Sequence, residues 1–471
     1  MDDGQERLTS REVARRLGVK IETVYAYASR GLLHSQREPG RRGSTFDPAE
    51  VEQLRGSGRA GLRGGEISAY AEARPPVEVV PRFNGGLVGG DGAVRTGAVG
   101  PSVAVTAAKA SGGSGAGGVG LWSENDPGLP AVRTRVTVIR DGRLYYRGVD
   151  AVELAAHRPF EQVAGWLWHG RFEPRAPFAV PVELAAMLQQ VGALVPARAR
   201  LTDRLRIAVS LAAANDPLRF DLREDSVLLT ARTLVAALVA ALPGPPSVLA
   251  SAAGDAAPLA ERLWQRLTGL VGEQGAVSCL DQALGLLADH DLAVSTFAAR
   301  VAASARADPY AVVAAGLAAL DGPLHGGASR LAHRLIAEVL AGDDAVGVLS
   351  ERLRAGQPVP GFGHPAYPDG DPRARALLQA LSTVPAAQDA CAAARQLVEA
   401  AGRERALRPN IDLALAVLTL AADMPADAGE VIFAVARTAG WLAHALEEYQ
   451  ERPLRLRPRG VYVGSPVVAT A

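Results

Sequence analysis

Two cysteines in 471 residues, Cys279 and Cys391, set the first limit. Neither belongs to a CxxC pair, so a disulfide framework and a thiolate metal site are both excluded. Such scarcity suits a reducing, cytoplasmic setting. Lysine is almost missing as well: only Lys20 and Lys109 occur, and arginine supplies nearly all of the 50 cations. Because 50 acids balance them, net charge neither requires nor forbids a polyanionic partner. Aromatic residues make up 5% of a chain that is 48% hydrophobic, and the surplus of Ala and Leu points to packed helices rather than sheet. No apolar run approaches the roughly 20 residues that span a bilayer, and MDDGQERLTSREVARRLG lacks the basic-then-apolar pattern of a leader. A soluble, membrane-free protein of two or more units is expected from this length.

What is present begins with a compact segment at residues 1–55. Thr9-Ser10-Arg11-Glu12 forms a capping box, Val13, Ala14 and Leu17 mark the buried face of a short helix, and Gly18 provides a turn. The spacing predicts a second helix from Ile21 to Ser29, stopped by Gly31. Helix, glycine turn, helix is the pattern that lays its second helix in a DNA major groove. His34 to Phe46, with Arg37, Arg41, Arg42 and Gly43 at a hairpin, then reads as a basic wing, with His34 a surface residue. REVARRLGV followed by VYAYASRGLL resembles the MerR and excisionase type of winged helix-turn-helix. That resemblance makes Thr23, Tyr25, Arg41 and Arg42 candidate DNA contacts, with protein docking the competing use of such a hairpin.

From 56 to 128 the composition turns to Gly, Ala, Ser and Val, as in KASGGSGAGGVG. It offers too little apolar area to offset ordering entropy, so a disordered linker is expected. NGGLVGGDG lacks the preceding strand and the GK[ST] of a phosphate loop. Order resumes near Arg133, where VTVIRDGRLYYRG alternates around an Asp-Gly turn and predicts a hairpin. From Phe160, Val163, Leu167 and Trp168 onward to Tyr449, apolar residues recur at helical spacing, broken by Pro and Gly about once per helix. The expected fold class is therefore all-α for residues 129–471.

Within that unit a few polar residues interrupt apolar helices: His290 and His325, then His364, then Asp412. A polar group at the end of a buried helix must find a partner or a ligand. One acid and three imidazoles among apolar helices suggest proton transfer. Asp412 would be partly desolvated and its basicity raised, although a helix N-terminus pulls the other way; the ordinary role of a lone Asp there is capping. His325 in LHGG and His364 in GFGH lie in glycine-bounded turns that let a substrate approach closely. Arg373, Arg437, Arg457 and Arg459 suit a dicarboxylate held by bidentate pairs, though any single Arg is more often a surface or packing residue. His157, His169, His333 and His444 are assigned structural roles. A metal site from Asp289, His290 and Asp291 is unfavourable, because three adjacent residues cannot face one ion from a helix end.

Residues 133–464 resemble the citrate synthase family through LYYRG, PFEQVAGWLWHG, LADHDLAVST, DGPLHGGAS, VPGFGHPAYPDGDPRA, PNIDLALAVL, VIFAVARTAGWLAH and RPRGVYVG, in the family's order. The resemblance implies condensation of acetyl-CoA with oxaloacetate to citrate and free CoA, with no metal or redox cofactor. It implies that Asp412 removes a methyl proton, His325 stabilises the enol or enolate, and His364 polarises the ketone. His290, Arg373, Arg437 and Arg457 would bind oxaloacetate. It further implies an all-helical homodimer whose smaller subdomain, about 327–425, closes on the substrate. Three departures bear on the acyl-CoA: Ala293 and Ser329 stand where members commonly carry Asn, and the run from Pro365 to Asp371 has no basic residue. Propionyl-CoA, giving 2-methylcitrate, is thus a competing substrate, since one methylene is worth only about 1–3 kcal/mol of discrimination. The alternative from another class is a DNA-binding transcription regulator that uses the synthase fold as a metabolite sensor.

Overall fold

The computed structural model describes residues 7–19, 33–37, 44–57, 131–172, 177–244, 257–322, 325–402 and 407–458, together with Ile21, Val24, Tyr27, Ala28 and Gly464. Two compact units divide the chain, Met1–Val119 and Gly120–Ala471.

The first unit opens with β1 (Leu8–Thr9) and α1 (Ser10–Leu17). The capping box forms as expected: Thr9 N–H donates to Glu12 Oε2 at 2.8 Å, and Glu12 N–H to Thr9 Oγ1. Gly18 ends the helix at φ 70°, a left-handed conformation that glycine reaches without Cβ strain. Ile21, Val24, Tyr27 and Ala28 are helical, in the register of the expected second helix. Two further strands, β2 (Ser35–Arg37) and β3 (Ser44–Phe46), complete an antiparallel sheet in the order β1-β3-β2, and α2 (Pro48–Ser57) follows. Val13, Val24, Leu33, Phe46 and Val51 are its buried core. His34 is exposed and paired with Glu50. Thr23, Tyr25, Arg41, Arg42 and nearly all of the expected 56–128 linker lie outside the described residues.

In the second unit the expected hairpin is β4 (Thr137–Arg140) and β5 (Arg143–Tyr146), joined by Asp141 and Gly142, both at positive φ, as a two-residue primed turn demands. A short β6 (Val149–Asp150) adds to it. Fifteen α-helices follow among the described residues. The first nine are α3 (Ala151–His157), α4 (Phe160–His169), α5 (Val182–Leu194), α6 (Leu201–Asn215), α7 (Glu224–Ala240), α8 (Leu259–Thr268), α9 (Gln274–Leu287), α10 (Val294–Ser304) and α11 (Pro309–Leu320). Then come α12 (Ala328–Leu340), α13 (Ala345–Arg354), α14 (Pro372–Leu381), α15 (Gln388–Ala401), α16 (Ile411–Ala421) and α17 (Ala428–Tyr449). Several starts use the devices that the sequence advertises. Asp308 caps α11 and Asp371 caps α14, each just before a proline whose missing N–H costs nothing at the first turn.

The centre is α17. Of its 22 residues 20 are buried, so it has no solvent face and other helices must surround it. It packs on α4, α6, α7, α9, α10 and α11, while α12 to α16 pack largely on one another. Gly440 permits one close approach, because a Cβ there would collide with the Ala288 carbonyl and the Asp289 carboxylate. Gly316 does the same beneath Trp441. Among the described residues no helix is long and apolar enough to cross a membrane.

Candidate active site

Side chains from four turns and from α17 meet where the α12–α16 group adjoins α17. The first turn follows α9. Gly440 N–H donates to Ala288 O at 3.0 Å, and Asp291 adopts φ 50°, which turns the chain tightly enough for His290 to face inward. His290 is buried, and its Nε2 lies 2.9 Å from the Tyr367 hydroxyl. Burial, then Arg373, Arg437 and the neighbouring imidazoles, hold it well below the usual histidine range. It is therefore neutral at pH 7.

His325 occupies the turn after α11, where its N–H donates to Gly322 O and that of Gly326 to Leu320 O. A Cβ on Gly326 would strike the Leu320 carbonyl, so this position requires glycine. His325 Nε2 is 2.8 Å from Ser295 Oγ, and Ser295 Oγ also accepts from Trp441 Nε1–H at 3.3 Å. Indole N–H can only donate, which leaves the serine proton free to bond His325 Nε2; in that arrangement the ring proton sits on Nδ1. Burial and then Arg437 push this imidazole down to about 4.

The third turn carries His364. Ala366 N–H donates to His364 Nδ1 at 3.1 Å, which leaves the proton on Nε2. Its ring stands edge-on to His290 with centroids 5.0 Å apart and is tilted against Tyr367 at 4.9 Å. Burial and then Arg373 bring it down to about 4. The same loop is laced to the start of α16. Gly363 N–H donates to Arg408 O, Asn410 N–H to Gly361 O, and Asn410 Nδ2 to Gly363 O.

That lacing ties the first turn of α16, which carries Asp412, to the His364 loop, and Arg373 and Asp371 are charged neighbours of both Asp412 and His364. The N-cap of α16 is Asn410, whose side chain accepts from Asp412 N–H at 3.0 Å. Capping is thus already done, and the Asp412 carboxylate is left for other work. Desolvation pushes it up to about 7 against the opposing pull of Arg373. Arg373 is buried, gripped by Asp371 through two bonds of 3.0 and 2.8 Å, and lies over the Tyr367 ring. Asp371 also accepts from Ile411 N–H at 3.1 Å, so one carboxylate sets both the arginine and the first turn of α16.

Arg437 reaches in from α17. Its Nε donates to Leu287 O at 2.8 Å and its guanidinium lies 4.5 Å over the Phe433 ring, but Nη1 is buried with no partner. An unpartnered buried donor costs about 1–3 kcal/mol, more when charged, a cost that an anionic ligand would remove. Burial lowers Arg437 to about 10, so it is still a cation at pH 7.

The structure thus gathers His290, His325, His364, Arg373, Asp412 and Arg437. Arg457 is the exception: it is exposed on the C-terminal turn, where its N–H donates to Leu454 O, and no described contact joins it to the cluster. Arg459 lies outside the described residues. His444 does more than pack. Its Nδ1 accepts from Arg300 and its Nε2 donates to Asp289 Oδ2 at 3.1 Å, while Arg300 pairs with Glu447 and Glu448. His333 bonds Thr419 Oγ1. Sequence reasoning missed Ser295, Tyr367 and Asp371. Only Asp371 carried a signal, the Asp-Pro pair of a helix start. Among the described residues no group of three or more His, Cys, Asp or Glu is placed to hold a metal ion.

Comparison with known proteins agrees with this geometry. Residues 8–57 match the MerR HTH family regulatory protein model, and residues 127–459 match that for the citrate synthase C-terminal domain. The citrate synthase of Haloferax volcanii is 32% identical over 69% of this chain and 90% of its own length. A 2-methylcitrate synthase 2 from Corynebacterium glutamicum is 28% identical over 68% and 88%. The crystal structure of citrate synthase from Thermotoga maritima superposes with a TM-score of 0.59 at 28% identity, covering 73% of this chain and 96% of that one. With its larger unit matched almost end to end and its inward-facing acid and imidazoles on the family's own motifs, the chain belongs to the citrate synthase family.

Proposed function

We propose that this protein condenses acetyl-CoA with oxaloacetate to form citrate and CoA. What supports the reading is a desolvated carboxyl group, raised to about 7, gathered with three imidazoles that burial lowers below their ordinary range. Asp412 takes a proton from the thioester methyl group, and His325 Nδ1–H supports the enolate oxygen that develops. The enolate carbon attacks the ketone carbon, and the new alkoxide, hydrogen-bonded by His364 Nε2–H, takes up one proton from solvent, matched by the proton that Asp412 removed and later releases. Water then cleaves the citryl thioester, releasing citrate and the CoA thiol. The unpartnered Arg437 Nη1, Arg373 and His290 receive the oxaloacetate carboxylates. A positioned base contributes roughly 10²- to 10⁴-fold, and a donor aimed at the developing oxyanion a comparable amount. No metal or redox cofactor takes part in this scheme. The 327–425 segment closes over the bound acid, and a homodimer in the cytoplasm is the expected working form.

The test is CoA release, followed with a thiol reagent, for the wild type and Asp412→Ala. Turnover by the wild type no faster than by the variant would end the enzymatic reading. Running propionyl-CoA in parallel decides between citrate and 2-methylcitrate, an alternative that the likeness to the Corynebacterium enzyme keeps in view. A second reading, a DNA-binding regulator that senses oxaloacetate or acyl-CoA, is favoured by the MerR-type segment at residues 8–57. A low-salt gel shift on the DNA upstream of its own coding sequence tests it. Loss of the shift in an Arg41→Ala, Arg42→Ala double variant supports DNA contact, and absence of any shift opposes it.

A further inference from the structure

One face of α17 carries Arg437, Gly440 and His444, whose spacing stacks them along the helix. The end of α9 lies across that face. Its last carbonyls, which no helical N–H reaches, find other donors there: Arg437 Nε–H bonds Leu287 O and Gly440 N–H bonds Ala288 O. The Tyr146 hydroxyl lies 3.2, 3.1 and 3.0 Å from the carbonyls of Gly285, Leu286 and Asp289. The backbone of Asp289 is thereby fixed. Its carboxylate is fully buried over Gly440, with Arg437 about one turn before that glycine and His444 about one turn after it. Oδ2 accepts from His444 Nε2–H at 3.1 Å, and Oδ1 has no partner. Arg437 Nη1 is a buried donor in the same condition, and Asp289 is the chief influence opposing the fall that burial imposes on that arginine.

A buried carboxylate with an unused acceptor and a buried guanidinium with an unused donor attract each other strongly where water does not screen them. Yet these two atoms are not bonded to one another. The imidazole between Asp289 and Arg300 accounts for that. Arg300 Nη1 can only donate, so at 2.7 Å it makes His444 Nδ1 the acceptor and puts the ring proton on Nε2, facing Asp289. Arg300 is itself paired with Glu447 and Glu448, which leaves His444 as the one described side-chain donor to Asp289. From this we infer that His444 is a positioning residue for oxaloacetate binding: by anchoring Asp289 it keeps that carboxylate from closing on Arg437 Nη1, which stays available to a substrate carboxylate, and it steadies the turn that carries His290. The identity of the substrate rests on the proposed synthase reaction. His444 itself touches no substrate and acts only through Asp289.

The two ring nitrogens can be imitated separately. His444→Gln places an amide N–H near the Nε2 position, where it still donates to Asp289. His444→Asn reaches only the Nδ1 position, where its oxygen accepts from Arg300 and Asp289 is left unheld. Calorimetric titration of the full-length protein with oxaloacetate should show Kd raised roughly tenfold or more by His444→Asn and less than about threefold by His444→Gln. The acetyl-CoA KM in the thiol assay should hold steady in both. Asp289→Asn removes the charge that would capture Arg437, so adding His444→Asn to it should change Kd by no more than about twofold, the scatter of independent effects. Equal affinities in the Gln and Asn variants, or the same loss from His444→Asn with and without the Asp289 carboxylate, would make His444 a packing residue and overturn the inference. Should His444→Asn alone not fold, the remaining variants decide: a loss of roughly tenfold in His444→Gln, or between Asp289→Asn and the double variant, refutes it. A wild type that does not bind oxaloacetate refutes the synthase reading and this role together, whereas wild-type binding with the wrong pattern among the variants refutes the role alone.

Discussion

Replacing Asp412 with Asn should make the protein more stable at pH 8 and nearly inactive. The carboxyl group sits at about 7 instead of its ordinary 3.8, mainly because it is desolvated. Its folded form therefore holds a proton more tightly than the unfolded chain does. Folding stability falls as pH rises from about 4 to about 7, and above that the full penalty applies. At 1.36 kcal/mol per unit the gap corresponds to roughly 4 kcal/mol. Asp412 is only half-buried, so about half of that, roughly 2 kcal/mol, is the working figure. Asn preserves the shape and never ionises. Denaturant unfolding of wild type and Asp412→Asn should show a stability difference of about 2 kcal/mol at pH 8 that shrinks towards zero at pH 4. Meanwhile thiol release at pH 8 should fall by roughly 10²-fold or more, and wild-type kcat/KM should climb with pH and level off above about 7. An Asn variant less stable than wild type at pH 8 would mean that the carboxylate holds the fold together, and the assignment of Asp412 as a strained base would be wrong.

Three other substitutions probe the surrounding shell. Tyr367→Phe keeps the ring against His364 and Arg373 and deletes the hydroxyl at His290; the oxaloacetate KM should rise roughly five- to fifty-fold, the value of an orphaned buried polar group, while the acetyl-CoA KM holds steady in the same thiol assay. Gly440→Ala drives a methyl group into the Ala288 carbonyl and the Asp289 side chain; a cost of about 1–3 kcal/mol in denaturant unfolding should come with weaker oxaloacetate binding, and a variant of unchanged KM would detach α17 from the positioning of His290. Arg437→Met removes a buried cation with an unpartnered Nη1; thermal unfolding should show a neutral or stabilising effect, yet calorimetric binding of oxaloacetate should be lost.

Much of this was legible in the chain, and the reason differs from residue to residue. His325 and His364 announced themselves because glycine-bounded turns interrupt helical periodicity, and the structure uses those glycines for close backbone approach. Asp412 was visible as an acid on an apolar helix, but its role was ambiguous until Asn410, two residues earlier, proved to be the cap. Ser295 and Tyr367 were illegible, since their meaning lies in contacts across 30 and 77 residues. His444 was undervalued for the same reason: its partners Asp289 and Arg300 are 155 and 144 residues away. Arg457 has the residue type that the reading asks for, but it is exposed and no described contact joins it to the cluster within one chain. Local chemistry shows which side chains are capable of acting, and only tertiary contact shows which are aimed.

The site inverts the order of acidity found in water. There an ordinary carboxyl group, at 3.8, gives up its proton well before imidazolium, at 6.5. Here Asp412 is raised to about 7 while His325 and His364 are lowered to about 4. One cause drives both shifts, because removal from water penalises the anion of one group and the cation of the other. The consequence is a division of labour. A proton drawn from a carbon acid stays on Asp412, for neither imidazole can compete for it. The two rings remain neutral, His364 with its N–H fixed by Ala366 N–H and His325 bonded to Ser295 Oγ, and so act as hydrogen-bond donors to developing oxyanions rather than as bases. Only Asp412 should therefore impose a break on the rate profile between pH 5 and 8. A second inflection there belonging to His325 or His364, seen as its loss in the corresponding Gln variant, would show that a ring ionises and that this division of labour does not hold.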